Sequence, residues 1–190
     1  MKISEYNYKA EPDGNRYAVL VNKANPVPPD WLETVRLVEY ENEDGIRIPL
    51  EEKCAEAFTA LKREISGTER DVILCSGYRS PEHQARLYAE RPHADALVAR
   101  PGYSEHNTGL AIDISAKVNG VWMEEDTEEC FEIYRQLHER FAAFGFILRY
   151  PEGKEAITGY VHEPWHFRYV GPALAQYMYE NRLTLEEMWA

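Results

Sequence analysis

The chain has 190 residues, 44% of them hydrophobic and 28% charged, a balance that fits one folded domain and argues against extended disorder. Its 33 acidic residues outnumber 21 basic ones for a formal net charge of -12, a field that repels phosphate backbones and speaks against nucleic acid as a partner. Three irregularly spaced cysteines (Cys54, Cys75 and Cys130) form neither a disulfide framework nor a thiolate metal motif, and Cys75, inside the apolar run DVILCSG, is expected to be a buried, inert thiol.

In chain order, residues 1–16 are a polar extension with the turn signal EPDGN. This N-terminus lacks the unbroken apolar core of a secretion signal. No run in the chain is apolar for long enough to span a bilayer, so the chain as it stands reads as cytoplasmic, or as exported or membrane-anchored if a signal or anchor has been trimmed from it. Tyr17 to Asn22 is a short strand-like run, and the three prolines of KANPVPPDW predict an extended surface segment. VRLVEYENEDGIRIPL predicts a hairpin turning at Glu43-Asp44-Gly45. From Glu51 to Ile65 the residues Cys54, Ala57, Phe58, Leu61 and Ile65 recur at helical spacing, and Gly67 stops the helix.

DVILCS predicts an apolar strand, after which Ser80 and Pro81 supply the cap and first position of a helix to about Tyr88. A long loop follows, with some helix possible in its middle. LAIDIS alternates Leu110, Ile112 and Ile114 against Ala111, Asp113 and Ser115, the pattern of a half-buried strand. Phe131, Tyr134, Leu137, Phe141 and Phe144 line one stripe of a helix over about Thr127 to Phe144. FILRY and WHFRYV predict two more strands, and two helices close the chain, the first opening at Gly171-Pro172. No linker or repeat divides the sequence, so residues 1–190 are expected to form one α+β domain with a mainly antiparallel central sheet flanked by helices.

His162-Glu163-Pro164-Trp165-His166 spells H-E-x-x-H, the zinc-protease pattern in which one helix presents two histidines a turn apart. Pro164 argues against that helix: inside it, proline removes a backbone donor and clashes one turn back, at a cost of about 3 kcal/mol or more. The aromatic and β-branched residues that follow favour a strand. In a strand the two histidines would stand roughly 13 Å apart, at about 3.3 Å per residue, too far to share one ion. Upstream, Asp113 is a carboxylate within an apolar strand and needs either a cation or strong hydrogen bonds. His106 alone reads more often as a surface or hydrogen-bonded histidine than as a ligand.

Together, Ser104-x-His106-x-x-Gly109-x-Ala111-x-Asp113 and, about fifty residues on, Glu163-x-x-His166 resemble the zinc D-Ala-D-Ala metallopeptidases of the VanY and VanX type. Those are relatives of lysostaphin-like enzymes and of the hedgehog signalling domain. VNKANPVP, SGYRS and FGFILRYP match the family in the same order. The resemblance implies one Zn2+ per chain held by His106, Asp113 and His166, with Glu163 as acid/base and Arg79 stabilising the developing oxyanion. Ser104, Gln84, Tyr78 and Trp165 are the implied substrate contacts, and Arg91 to Tyr103 the implied cap over the site. His162 is then a wall residue, Tyr160 a candidate pocket lining, and His83, His93 and His138 exposed or structural. The implied activity is removal of terminal D-Ala from peptidoglycan precursor or stem peptides ending in D-Ala-D-Ala, extending to the free dipeptide. L,D-carboxypeptidase action on tetrapeptides, a non-catalytic zinc-binding domain, and cross-bridge endopeptidase action are the alternatives.

Overall fold

A computed structural model describes residues 16–68, 70–91 and 96–190; the EPDGN turn and His93 lie outside them. After a short 3-10 turn at Arg16–Ala18, a single helical turn, Trp31–Thr34 (α1), follows the prolines, and the Trp31 indole donates to the Thr108 carbonyl at 2.9 Å. The predicted hairpin is present as Leu37–Glu41 (β1) and Arg47–Glu51 (β2). The Asn42 side-chain oxygen accepts from the amides of Asp44 and Ile46, which closes its turn. Glu51 caps the next helix, Glu52–Ile65 (α2), by accepting from the amides of Lys53 and Cys54.

Val72–Ser76 (β3) leads into Pro81–Glu90 (α3), capped by the Ser80 hydroxyl as its sequence predicts. A 3-10 turn, Glu105–Thr108, precedes Ala111–Val118 (β4) and the short Val121–Trp122 (β5). Then come Glu128–Ala143 (α4), Phe146–Leu148 (β6), Glu155–Thr158 (α5), His166–Tyr169 (β7), Pro172–Asn181 (α6) and Leu185–Trp189 (α7). The main sheet runs β3-β4-β7-β6 with every pairing antiparallel, and β5 pairs with the end of β4. The α+β architecture expected from the sequence is the one observed. Among the described residues, no helix is long and apolar enough to cross a membrane.

Phe58 and Leu61 of α2, Tyr134, Leu137 and Phe141 of α4, and Ile112 and Ile114 of β4 form one buried cluster on one face of the sheet. A smaller cluster of Ile147, Val170, Leu174, Met178 and Met188 seats α6 and α7. The other face of β4 carries Asp113, and this is where the site assembles.

Three expectations are corrected. Strand β4 is buried over most of both faces: Ile112 and Ile114 lie in the core, and on the opposite face Ala111 is buried and Ser115 is covered by the segment after β5, its hydroxyl donating to the Met123 carbonyl. Tyr17 to Asn22 is no strand: after the 3-10 turn, the carbonyls of Tyr17, Val19 and Val21 accept from buried arginines where a strand would offer them to a neighbour. Cys75 is exposed, while Cys54 and Cys130 are buried. The β3–β4 register slips between Leu74 and Ser76, and Cys75, at the irregularity, leaves the apolar face.

Candidate active site

The site is built where three neighbouring strands, β3, β4 and β7, meet side by side. Asp113 in the middle of β4 stands opposite His166, the first residue of β7, and on its other side opposite Ser76 at the end of β3. His106 arrives from the 3-10 turn that precedes β4. That turn is fixed to the loop after β3 from both directions: the Arg79 amide donates to the His106 carbonyl at 3.0 Å, and the Asn107 side chain donates to the Arg79 carbonyl at 2.6 Å. Gly109 explains the glycine of the upstream motif. Its φ is 75°, and a Cβ there would lie 2.9 Å from the Glu51 backbone nitrogen and 2.8 Å from the Leu37 side chain.

His106, Asp113 and His166 offer ligand atoms that all lie within 4.8 Å of one another, so the three could hold a metal ion. His106 Nε2 is 3.1 Å from Asp113 Oδ2, and His166 Nδ1 is 2.8 Å from Asp113 Oδ1. Neighbouring ligands of a tetrahedral zinc stand about 3.3 Å apart for bonds near 2.0 Å, so the cluster is close to that spacing. The His106 ring is set for the task, since Nδ1 pairs with the Gly77 carbonyl at 2.7 Å and Nε2 faces Asp113.

The electrostatics fit a cation. Burial works to raise the Asp113 carboxyl, but the adjacent imidazoles, His106 first, hold it well below the usual carboxylate range. Burial lowers the His106 imidazole. For His166 burial acts downward too, yet its hydrogen bond to the Asp113 carboxylate and the nearby Glu105 carboxylate outweigh it and carry that imidazole up to about 9. The acidic groups here draw positive charge from whatever can supply it.

Glu163 comes from the segment just before β7. Its carbonyl accepts from the His166 amide at 3.1 Å, a tight turn that includes Pro164, and its own amide donates to the Tyr150 carbonyl at 3.2 Å. The helix that H-E-x-x-H could have signified is absent, as Pro164 requires, and His162 instead pairs its Nδ1 with the Tyr150 carbonyl at 2.8 Å. Glu163 Oε2 lies 3.9 Å from His166 Nδ1, and burial pushes its carboxyl up to about 7. Arg79 donates to Gln84 Oε1 at 2.9 Å and to Ser76 Oγ at 3.3 Å, with a terminal nitrogen 3.8 Å from Asp113 Oδ2. Its guanidinium is thereby aimed at the cluster.

A cleft of about 290 Å³ opens over this group. Ser104, Gln84, Trp165 and Tyr160 line it, as do Leu97, Val98 and Ala99 from the expected cap. Gln84 accepts from Arg79 and donates to the Ala99 carbonyl at 2.6 Å, so it ties the cap to the arginine. Trp165 stacks on Phe131 with ring centroids 6.2 Å apart. Tyr78 is not among the residues that line the cleft; its amide donates to the Pro49 carbonyl of β2. His83 is exposed, and His138 is half-buried against Phe167.

Four residues escaped the sequence reading. Tyr150 lies against the His166 ring with centroids 4.9 Å apart, and Glu105, Arg149 and Arg168 form a buried charge cluster directly behind it. The available signal was an arginine within each of the apolar runs FILRY and WHFRYV, since an arginine is almost never fully buried unless paired.

A family model described as "VanY: D-alanyl-D-alanine carboxypeptidase" matches residues 47–172. The chain is 36% identical over 184 residues to a D-alanyl-D-alanine carboxypeptidase of Enterococcus faecalis, covering 89% of this chain and 64% of that protein. It is 35% identical over 185 residues to the bifunctional D-Ala-D-Ala dipeptidase and D-Ala-D-Ala carboxypeptidase VanXYC of Enterococcus gallinarum, covering 88% of this chain and 90% of that one. A crystal structure of the D,D-pentapeptidase VanY from a VanB-type resistance cassette, an E175A variant in complex with Zn(II), superposes with a TM-score of 0.77 at 34% identity, over 92% of this chain and 99% of that one. Fold and sequence together define a mixed α+β peptidase-type domain. The chain belongs to the VanY D-alanyl-D-alanine carboxypeptidase family. It spans slightly less than two thirds of the length of the Enterococcus faecalis relative.

Proposed function

We propose that the protein is a zinc-dependent D,D-carboxypeptidase that removes the terminal D-Ala from peptidoglycan precursor or stem peptides ending in D-Ala-D-Ala. The observation that carries this reading is the convergence of His106, Asp113 and His166 on one point, with Glu163 and Arg79 facing the same cleft. The three ligands would be His106 Nε2, an Asp113 carboxylate oxygen and His166 Nδ1, a nitrogen and oxygen set that suits zinc. Bound there, the ion supplies the Lewis acidity for peptide hydrolysis.

The chain's own residues do the rest. Glu163, in a pocket dry enough to raise its carboxyl to about 7, can accept a proton and return it to the leaving amine near neutral pH. Arg79, held by Gln84 and Ser76, directs fixed positive charge to where the scissile carbonyl oxygen gains negative charge. The cleft lies at the small end of the range for ligand sites, which suits a peptide end with methyl side chains. The bifunctional relative supports extending the reading to the free D-Ala-D-Ala dipeptide. Cytoplasmic precursor peptides remain the substrates expected from the sequence, and cell fractionation checks that compartment.

The test is release of free D-Ala from a pentapeptide ending in D-Ala-D-Ala, the matching tetrapeptide and the dipeptide, each with and without a chelator. Chelator-sensitive release, fastest from the pentapeptide, is expected. Preference for the tetrapeptide would replace the reading with L,D-carboxypeptidase action, and no release from a zinc-loaded protein would point to a binding domain. Glu163→Gln should lower turnover by about 10²-fold or more with zinc still bound at one per chain, whereas His166→Ala should lose the metal. Near-normal turnover in the Glu163 variant would remove it from the mechanism.

A further inference from the structure

Behind the His166 ring, on the side away from Asp113, lies a carboxylate whose two oxygens are in different situations. Glu105 Oε1 accepts from Arg149 Nε and from Arg168 at 2.7 Å each, and all three side chains are buried. Glu105 Oε2 is buried too, yet has no hydrogen-bond partner among the described residues. The other unpartnered atom beside it is His166 Nε2, 3.7 Å away. Two buried polar atoms of complementary kind face each other, one short of a full hydrogen bond, while Nδ1 of the same ring is turned to Asp113 at 2.8 Å. A buried polar pair left open in this way calls for a reason.

We propose that Glu105 is a positioning residue for the metal site, accepting a hydrogen bond from His166 Nε2–H and so keeping Nδ1 deprotonated as the nitrogen offered to the metal. This rests on the zinc reading above. The two guanidiniums give the carboxylate its aim: they can only donate, so they claim Oε1 and leave Oε2 directed at the imidazole. They are themselves anchored at the chain ends. Arg149 donates to both carboxylate oxygens of Glu186 in α7 and to the Val21 carbonyl, and Arg168 to the carbonyls of Tyr17 and Val19. The N-terminal segment and the last helix thereby fix the orientation of a ring at the centre of the sheet.

Glu105→Gln separates this role from space-filling, because the two side chains have nearly the same shape. In the variant the amide oxygen must still face the guanidiniums, which turns the amide NH2 towards His166 Nε2. Two donors then oppose each other unless the ring moves its proton to Nδ1, the nitrogen that should bind metal. Zinc affinity, measured by competition with a chromophoric chelator, should fall by about 10- to 100-fold, and the visible spectrum of the Co(II) form should change. Affinity within twofold of wild type, with an unchanged Co(II) spectrum, would overturn the proposal.

A second measurement uses the unaltered protein and covers the case in which Glu105→Gln does not fold. Long-range 1H–15N correlation of the imidazoles in the zinc-loaded wild type should show His166 protonated at Nε2. A proton on Nδ1 would overturn the proposal. Failure of the wild-type chain to take up zinc is a separate result: it would remove the zinc reading and this inference with it, whereas wild-type uptake with an indifferent variant removes this inference alone.

Discussion

At the scale of single residues, the protein contrasts groups held by several partners with groups left alone. Arg79 belongs to the first kind. Gln84 and Ser76 fix its fork, and its terminal nitrogen stops 3.8 Å short of Asp113. A lysine offers one ammonium where the fork makes several directed bonds. Arg79→Lys should therefore lower kcat by about 10²-fold with a small change in KM and unchanged zinc content; an equal rise in KM at constant kcat would mean that Arg79 only binds substrate. His138 belongs to the second kind, with an Nε2 that is buried and unpartnered among the described residues. Burial pushes its imidazole down to about 4, against an ordinary value of about 6.5. Between those values the unfolded chain takes up a proton that the native state refuses, so stability is lost as pH falls through that window. The loss should approach about 3 kcal/mol once the pH is below both values, and His138→Leu should abolish it. Parallel melting curves against pH for wild type and variant would contradict this.

At the scale of elements, one buried lysine joins three pieces of structure. Lys62 in the last turn of α2 reaches Asp71 at 2.5 Å, Glu43 of the hairpin turn at 2.7 Å, and the Val72 carbonyl at the start of β3. Lys62→Ala leaves the buried Asp71 without its cation, and urea unfolding should show a loss of roughly 3–5 kcal/mol. Glu43→Gln, at the more exposed end, should cost less than about 1 kcal/mol. Equal losses would mean that the three groups act as one unit. Element by element, local signals carried far: the helices capped by Glu51, Ser80 and Thr127, and the capping box of Thr184 and Glu187 at α7, sit where propensity, periodicity and capping chemistry agree. Tyr17 to Asn22 failed because its β-type composition could not reveal that Arg149 and Arg168, more than a hundred residues away, occupy its carbonyls. Cys75 failed because a register slip cannot be read from one strand.

At the scale of the whole molecule, the candidate metal site draws on the 3-10 turn before β4, on β4 and on β7, none of which would hold the cluster alone. In the zinc reading, the ion therefore stabilises the native state as any selective ligand does, by about 4 kcal/mol when free zinc is 1,000 times its Kd. For a domain of this size that corresponds to a fall in Tm of about 10 °C on chelation, restored by added zinc. His166→Ala should show no such shift, and a wild-type Tm indifferent to chelator would count against a zinc ion bridging these elements.

His106, Asp113 and His166, which the structure brings together, and Glu163 and Arg79, which face the same cleft, were all singled out in the sequence. They sit at fixed offsets beside residues with local reasons of their own, such as Gly109, whose φ of 75° and crowded surroundings exclude a side chain, and Pro164, which forbids the helix that H-E-x-x-H suggests. What only the tertiary structure decided is how those residues are held. Gln84 links Arg79 to the Ala99 carbonyl, Tyr78 is not part of the cleft lining, and Glu105 stands behind His166 between two arginines. A sequence records which groups can ionise and donate. Which of them remain after every buried donor and acceptor has found its partner depends on contacts between residues far apart in the chain, and those exist only once the sheet has closed.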